Sequence, residues 1–404
     1  MYLSVLNDNG KVEQYHIMKQ NFIDDSLYKK VGYIANQSKM SNALQIITAY
    51  FSDAKAILLD DTNKAIVKQL EALSVPVLLE YKNVETIFDK KDFFLMYYTS
   101  GTTGIPVGAL KSKENINAEI EILTEFLATY GIKKVVVTVP FIHLYGTLFG
   151  LLYPMINDID IVIKEHFLPH DLLDLINPYT MVVTTPLYIK ALNKLSEKKD
   201  LSKALFISST AHLDEESIQS FNTRYHADIM QIFGSTETGG IAYKLNTSVL
   251  WKPFEKVAIS TNKKEELVVS SPFVSNEIYT NKFVKTNQTI ETFDYVQLKE
   301  EGFTLLGRSS KIFKLAGKRY STVQIENILE NIKEINKALV FVVLEKDALR
   351  GEFLDITIES NTQFSVKEIK SILKGHLSNL KFSIHLSIVD KIPINQVGKK
   401  LRIK

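Results

Sequence analysis

The chain has 404 residues, 45% hydrophobic and 23% charged, which gives room for about two to four domains and excludes disorder over most of its length. Its 48 Lys and Arg residues nearly balance its 46 Asp and Glu residues, which excludes a global field that would draw it to nucleic acid or to an anionic membrane. It has no cysteine, so disulfides, thiolate catalysis and Cys-ligated metal centres are excluded, and a reducing compartment suits the composition.

Neither a secretory signal nor a membrane span is expected. Residues 1–10 lack an apolar run behind a basic start, so we expect a cytoplasmic protein. Residues 135–157 carry no formal charge and are long enough to cross a bilayer. Pro140, Gly146, Gly150 and Pro154 interrupt them, however, and favour a buried strand that ends at a loop.

From residue 56 onward, short β-branched runs alternate with amphipathic stretches, a rhythm typical of a parallel sheet with helices on both faces. Strands are predicted at residues 56–59, 75–79, 93–98, 135–139, 160–163, 181–184, 204–208 and 228–233. Helices are predicted at residues 62–73, 112–130, 170–176, 188–198 and 214–225. In the second helix, Ile116, Ile120, Leu123 and Leu127 share one face, and Gly131 ends it.

Beyond Gly240 the pattern changes to short strands with turn residues between them, at residues 266–270, 276–279 and 303–306. They predict a small antiparallel sheet or barrel at about residues 241–309. Helices at residues 322–332 and 365–380, with strands at 338–344, 354–358 and 384–389, then predict a separate α+β unit. The predicted fold is thus α/β, with parallel α/β sheets and a small antiparallel β subdomain in residues 1–309 and an α+β unit in residues 310–404.

The most informative segment is Tyr98-Thr-Ser-Gly-Thr-Thr-Gly-Ile-Pro106, which follows a predicted apolar strand. Its glycines allow unusual backbone angles, so that amide groups and hydroxyls can converge on an anion. We therefore predict a phosphate-binding loop, although the same composition also suits a flexible polar loop. The segment matches neither the P-loop nor the GxGxxG pattern.

Four more motifs follow in order: Phe233-Gly-Ser-Thr-Glu237, Thr292-Phe-Asp294, Gly307-Arg308, and Pro393 to Arg402 with its Gly398-Lys399 pair. Together with the loop, they resemble the ordered signatures of the AMP-forming adenylating superfamily. That superfamily comprises acyl-CoA synthetases, aryl-acid ligases, luciferases and the adenylation domains of peptide synthetases. The chain resembles a short stand-alone member.

The resemblance implies a role for each motif residue. Contacts to ATP or AMP are implied for Thr99, Ser100, Gly101, Thr102, Thr103, Gly104, Ser209, Thr210, Phe233, Gly234, Ser235, Asp294 and Arg308. Catalytic roles are implied for Lys399, His143 and Thr236, and Glu237 is implied as the magnesium ligand. The C-terminal unit would be a mobile lid, with its hinge at Ser310 and a loop on the thiol side at Gly317.

Elementary chemistry is consistent with two of these roles. A carboxylate such as Glu237 beside a phosphate loop would repel a triphosphate unless a hard cation bridged them. Asp294 can accept hydrogen bonds from both ribose hydroxyls. Each residue also has a plainer interpretation: Asp294 as a turn residue, His143 as a buried core histidine, and Lys399 as part of a basic tail.

Three features depart from the family pattern. The loop continues to Val107 where relatives carry Lys, so one cationic phosphate contact is missing unless Lys111 or Lys113 replaces it. Ser310 stands where the hinge often has Asp. The part before Thr99 is short for the family, so we expect a trimmed N-terminal subdomain.

The implied function is ATP-dependent activation of a carboxylic acid to an acyl-adenylate with release of pyrophosphate, followed by transfer to a thiol. The cofactors are ATP and Mg²⁺, the acceptor is CoA or phosphopantetheine, and an acyl carrier protein is a possible partner. A set of aromatic residues favours an aryl or acyl acid, although the same residues also suit a core: Phe141, Tyr145, Phe149, Phe206 and Phe233. A degenerate nucleotide binder, an amino-acid-activating enzyme and a non-enzymatic interaction protein remain as alternatives.

Overall fold

A computed structural model describes residues 1–7, 10–35, 38–60, 64–80, 84–99, 107–308, 312–315, 318–344, 352–376, 383–394 and 400–401. The chain divides into two compact units, residues 1–259 with 269–290 and residues 260–268 with 291–404. Each unit has its own hydrophobic core. The domain boundary expected at residue 309 stays a prediction.

The strands and helices follow one another along the chain with short connections. The strands are β1 (Tyr2–Leu6), β2 (Val12–His16), β3 (Val31–Ile34), β4 (Lys55–Leu58), β5 (Leu95–Thr99), β6 (Val107–Lys111), β7 (Lys134–Val137), β8 (Asp160–Lys164), β9 (Thr180–Thr184), β10 (Leu205–Ser208), β11 (Asp228–Ser235), β12 (Gly239–Leu245), β13 (Lys252–Pro253), β14 (Ala258–Thr261), β15 (Glu266–Ser270), β16 (Glu277–Tyr279), β17 (Phe283–Lys285), β18 (Thr289–Lys299), β19 (Gly302–Arg308), β20 (Ile312–Leu315), β21 (Lys318–Ser321), β22 (Lys337–Leu344), β23 (Glu352–Glu359) and β24 (Ser383–Val389). The helices are α1 (Lys39–Phe51), α2 (Lys64–Ala72), α3 (Lys113–Leu127), α4 (Leu144–Thr147), α5 (Tyr153–Ile156), α6 (Pro169–Leu175), α7 (Pro186–Asn193), α8 (Glu215–Tyr225), α9 (Thr322–Glu330) and α10 (Val366–His376).

A nine-stranded sheet organises the first unit, in the order β13-β12-β11-β10-β9-β7-β8-β1-β2. The strands from β11 to β1 in that order run parallel, and the remaining pairings, β1 with β2, β11 with β12 and β12 with β13, are antiparallel. Val135 and Val137 of β7 pack on one face with residues of α1 and α3, while Val136 packs on the other with residues of α6, α7 and α8. This confirms the predicted parallel sheet with helices on both faces, because strands buried on both faces read as continuous apolar runs.

A six-stranded sheet, β17-β16-β6-β5-β4-β3, completes the first unit. β3, β4 and β5 are parallel, and β5 pairs with β6 as an antiparallel hairpin. The helix predicted after β6 is confirmed: Ser112 caps α3 in a capping box with Asn115, and Gly131 ends the following turn with φ at 57°.

Two predicted elements differ from the structure. The strand expected at residues 75–79 is only a single bridge between Val77 and Tyr33, followed by a 3₁₀ turn. Pro76 has no amide hydrogen for a ladder, and the backbone of Leu78 lies so close to Gly32 that a Cβ there would be 2.5 Å from its Cα. The helix expected at residues 188–198 ends at Asn193, because the charged stretch beyond Leu195 offers no apolar face to pack.

The prediction of one small antiparallel sheet after Gly240 is wrong in its membership. Strand β16, within the predicted residues 276–279, pairs with β6 of the six-stranded sheet, where Ile278 is opposite Ala109. Tyr279 packs there, its ring centroid 5.2 Å from that of Phe88. A separate four-stranded sheet, β14-β15-β18-β19, retains the strands predicted at residues 266–270 and 303–306.

The C-terminal part of the second unit has the predicted α+β composition. Strands β22 and β23 are antiparallel, and β24 is parallel to β23 after the crossover through α10. Ile325 of α9 and Ile369 of α10 pack on this sheet. Residues 377–380 of the predicted helix at 365–380 lie outside the described residues.

Within the described part of the chain, no helix is both long and apolar enough to cross a membrane. The uncharged residues 135–157 contain most of β7, a turn and the short helices α4 and α5, joined by a π-helical stretch at Leu148–Leu152. The expectation of a strand followed by a loop is therefore confirmed for their first part.

Candidate active site at the carboxyl edge of the large sheet

The predicted phosphate loop connects β5 to β6. Its first residue, Thr99, ends β5 directly opposite Val107, where β6 begins. Ser100, Gly101, Thr102, Thr103 and Gly104 lie outside the described residues, so the structure fixes only the two ends of the loop.

The Phe233-to-Glu237 motif forms one side of a tight hairpin between β11 and β12. Gly234 is opposite Gly240, and Ser235 is opposite Gly239, which leaves Thr236 and Glu237 at the tip. A Cβ on Gly234 would lie 2.3 Å from the Gly239 carbonyl oxygen, so only glycine fits this crossing.

Two hydroxyl groups close the tip of this hairpin. The Ser235 amide donates to Thr238 Oγ1 at 3.0 Å, and the Thr238 amide donates to Ser235 Oγ at 3.2 Å. Thr238 is fully buried, whereas Thr236 and Glu237 are partly exposed. The hairpin therefore presents the Glu237 carboxylate on a well-anchored turn.

The two lysines considered as replacements for the missing loop lysine are engaged elsewhere. Lys111 is fully buried, and its ammonium donates to the carbonyl oxygens of Glu237 at 3.2 Å and Phe273 at 2.5 Å. Lys113 donates to the Tyr50 carbonyl oxygen at 2.8 Å and pairs with Asp53. Each ammonium therefore already has partners elsewhere in the described part of the chain.

His143 immediately precedes α4, where its backbone is extended. Burial lowers the pKa of its imidazole, and the carboxylate of Asp60 opposes that shift. Asp60 lies just beyond the carboxyl end of β4 in the six-stranded sheet, and His143 follows β7 of the nine-stranded sheet. The electrostatic interaction is therefore between residues that follow strands of the two sheets. The ring is therefore neutral near pH 7, and its gating role stays a prediction.

Most of the aromatic residues considered for the acid pocket are core residues in the structure. Phe206 is fully buried beneath α8, its ring 4.8 Å from that of Phe221. Phe141 and Phe149 are also buried. The Tyr145 hydroxyl donates between the ends of β9 and β10, to the carbonyl oxygens of Ile207 at 2.7 Å and Thr184 at 3.0 Å. Phe233 is partly exposed, and its ring centroid lies 5.4 Å from that of Trp251.

The segment after β10 lies where the sequence predicts adenine contacts. Ser209 Oγ donates to the carbonyl oxygen of Ile232 at 2.9 Å and so joins the ends of β10 and β11. Thr210 is exposed and has φ at 80°, a left-handed conformation that is uncommon for threonine. Adenine contacts from either residue remain predictions.

Sequence reasoning missed two polar groups at this edge. Ser208 and Gln231 are register partners on β10 and β11, and both are at least 95% buried. Among the described residues, neither Ser208 Oγ nor Gln231 Nε2 has a hydrogen-bond partner. Buried polar groups are normally paired, so these two atoms are exceptions at this edge of the sheet. The only sequence signal is a single polar residue in an apolar strand, at the end of β10 for Ser208 and in the middle of β11 for Gln231.

The two predicted ribose-binding residues are neighbours in the second unit. Asp294 on β18 is the register partner of Arg308 on β19. The Asp294 amide donates to Thr292 Oγ1 at 3.1 Å, and its side chain is partly exposed. Their sequence spacing alone did not establish this pairing.

Three other predicted residues, Lys399, Ser310 and Gly317, lie outside the described residues. Lys400, which directly follows Lys399, is firmly held: its ammonium lies 3.1 Å from Glu326 Oε2, pairs with Glu330 and donates to the Ala338 carbonyl oxygen at 2.7 Å.

Glu237 suits a metal ion whose other ligands are phosphate oxygens. Among the described residues, no group of three or more His, Asp or Glu side chains could hold a metal ion. A single carboxylate oxygen suits Mg²⁺, which usually takes one or two carboxylates and completes its shell with phosphate oxygens and water.

Comparison with known proteins places these features in a family context. The model of a family described as AMP-binding enzyme matches residues 27–269, more than half of the chain. "Probable CoA ligase CCL5" of Humulus lupulus is 26% identical over 78% of this chain, and "Peroxisomal OPC-8:0-CoA ligase 1" of Arabidopsis thaliana is 24% identical over 78%. The chain spans 63% and 64% of these two relatives, less than two thirds of either.

A solved structure has the same fold. The o-succinylbenzoate CoA synthetase (MenE) of Bacillus subtilis, in complex with the acyl-adenylate intermediate OSB-AMP, superposes with a TM-score of 0.81 at 17% identity. The match covers 99% of this chain and 94% of that one. The large α/β part followed by a smaller C-terminal part is therefore an architecture the two proteins share.

Proposed function

Because the chain belongs to the AMP-binding enzyme family, we propose that it joins a carboxylic acid to AMP and then passes the acyl group to the thiol of CoA. In the first step, a carboxylate oxygen attacks the α-phosphorus of ATP, and the bond to pyrophosphate breaks. In the second, the thiol attacks the acyl carbon and AMP leaves. The observation that carries this proposal is the Glu237 hairpin, anchored at the carboxyl edge beside Ser209.

The proposal assigns a part of ATP to each motif. Ser209 and Thr210 would contact the base, and Asp294 with Arg308 would bind the ribose. Glu237 would hold Mg²⁺, which when bound neutralises phosphate charge. Of the residues outside the described ranges, Lys399 would stabilise the negative charge that grows between the carboxylate and the α-phosphate.

CoA is the acceptor we propose, because the two plant relatives are named as CoA ligases. The acid would be an aryl or acyl acid. Phe233 is the partly exposed ring at this edge that supports an apolar substrate, since Phe141, Phe149 and Phe206 belong to the core. Transfer to a carrier-protein phosphopantetheine is a separate arm of the test.

Acid-dependent exchange of pyrophosphate into ATP, with Mg²⁺, tests the first step across a panel of aryl, fatty and amino acids. Exchange with one acid class, abolished in Lys399→Ala, is the expected result. Formation of an acyl-CoA by the wild-type protein, and not of an acyl carrier protein thioester, tests the acceptor. Nucleotide binding without exchange for any acid would contradict the proposal and favour a degenerate binder.

A further inference from the structure

A buried cation and a buried carboxylate lie beneath the Glu237 hairpin, and the reaction proposed above uses neither. Lys111 is the last residue of β6 and is fully buried. Glu119 lies in the middle of α3 and is 3% exposed. Buried Lys and Glu residues are rare unless they are paired, so their presence here needs an explanation.

Lys111 binds the hairpin at its tip. Its ammonium donates to the carbonyl oxygen of Glu237 at 3.2 Å, and a second bond of 2.5 Å to the Phe273 carbonyl oxygen fixes its position. Burial lowers the pKa of Lys111 to about 8, and the carboxylates of Glu119 and Glu237 oppose that shift. The contact that Lys111 makes to Glu237 is to its main-chain carbonyl oxygen and not to its carboxylate.

Glu119 binds the same hairpin near the start of β12. Its Oε1 accepts the Gly240 amide at 2.6 Å. A Cβ on Gly239 would lie 2.7 Å from Glu119 Oε2, and one on Gly240 would lie 2.9 Å from Oε1. The two glycines therefore let the carboxylate approach the backbone, and the hairpin is bonded to the protein at Glu237 in its tip and at Gly240 on β12.

Stability alone does not account for two such groups. Burying an ionisable side chain costs several kcal/mol when it is charged, and burial accordingly lowers the pKa of Lys111 and raises that of Glu119. The two groups do supply directional bonds to the backbone at fixed positions. Groups that orient a metal ligand in this way typically change metal affinity roughly 10–100-fold when they are removed.

We propose that Lys111 and Glu119 are positioning residues that hold the Glu237 hairpin in the geometry for binding magnesium-bound ATP. The inference rests on the proposed function, because it takes Glu237 as the residue that faces the metal. Lys111 bonds to the main chain at Glu237 itself, and Glu119 bonds to it at Gly240, near the start of β12.

The test compares nucleotide affinity with and without metal. A non-hydrolysable ATP analogue is titrated into the full chain by calorimetry, once in Mg²⁺ and once in EDTA, and the ratio of the two Kd values measures the contribution of the metal. The variants are Lys111→Met and the double variant Lys111→Met/Glu119→Met, which leaves no unpaired buried charge if the single variant fails to fold. Lys113→Met is the matched control: it removes a cation two residues away whose partners are Tyr50 and Asp53.

The expected result is that the ratio of the Kd in EDTA to the Kd in Mg²⁺ is roughly 10–100-fold smaller for the folded double variant than for the wild type. The Kd of the double variant in EDTA and the ratio for Lys113→Met stay at wild-type values. A merely structural role would weaken both affinities together. An unchanged ratio in the folded double variant, or an equal loss in Mg²⁺ and in EDTA, would overturn the inference and leave the proposed function standing. Failure of the wild-type protein to bind the analogue at all would overturn both.

Discussion

Lys400 binds two glutamates that are bonded to the edge strand β22, so its replacement tests how much these contacts stabilise the second unit. Strand β22 is the outer strand of its sheet, and its Val340 and Ala338 amides donate to Glu326 at 3.0 Å and Glu330 at 2.8 Å. The two glutamates lie four residues apart on α9, so both face β22. Lys400 bonds to both carboxylates and to the Ala338 carbonyl oxygen.

Lys400→Met removes the cation and leaves both carboxylates in place. Breaking a fully buried pair in this way costs about 3–5 kcal/mol. The side chains of Lys400 and Glu330 are 22% and 24% exposed, while that of Glu326 is 5% exposed. Because solvent screens the more exposed pair, we expect a loss of about 2–3 kcal/mol in the unfolding free energy of this unit.

Hydrogen exchange of peptides from β22 measures this loss locally, because Ala338 and Val340 are the amides that the glutamates bind. A loss of about 2–3 kcal/mol corresponds to roughly 30–150-fold faster exchange, if exchange requires opening of this unit. Lys333→Met is the control, since Lys333 is exposed. Equal exchange rates in the two variants would refute the reasoning and mean that Lys400 contributes no more than a surface ion pair.

Three further predictions concern the large sheet. Gly234→Ala should lower the free energy of unfolding by about 1–3 kcal/mol in urea titrations, because its Cβ meets backbone; a cost no larger than for an exposed alanine substitution would contradict this. Burial lowers the pKa of His143 below its ordinary 6.5, so stability is lost as the pH falls through that value, and His143→Asn should lose less of it between about pH 7.5 and pH 5.5 than the wild type. Glu237→Gln should raise the Mg²⁺ concentration needed for pyrophosphate exchange by about tenfold or more, with the KM for the acid unchanged.

Much of the fold could be predicted from local patterns. Continuous apolar runs such as that of β7 indicate strands buried on both faces, and the Ser112 cap with Gly131 marks the ends of a helix and its last turn. Sheet membership could not be predicted, because it depends on partners distant in sequence. Strand β16 joins β6, more than 160 residues earlier in the chain, since Tyr279 packs on Phe88.

The candidate site could be predicted where a motif is continuous in sequence. The tip at Glu237 and the pair of Asp294 with Arg308 both come from such motifs. Ser208 and Gln231 could not be found in this way, because a single polar residue in an apolar strand carries no distinctive local pattern. The sequence alone does not decide whether Phe141, Phe149 and Phe206 line the acid pocket or belong to the core, because it does not distinguish a buried ring from one that lines a pocket.

The position of Lys111 shows why the lysine missing from the phosphate loop is not simply displaced along the strand. Side chains alternate between the faces of a strand, so Val107 and Lys111 of β6 share one face but lie about 13 Å apart. That distance exceeds the reach of a lysine side chain, and the Lys111 ammonium already bonds to the carbonyl oxygens of Glu237 and Phe273. On the proposal above, Lys111 would act on nucleotide binding through the backbone of the Glu237 hairpin, and a metal ion at Glu237 would bring positive charge to the phosphates where the sequence has Val107 in place of lysine.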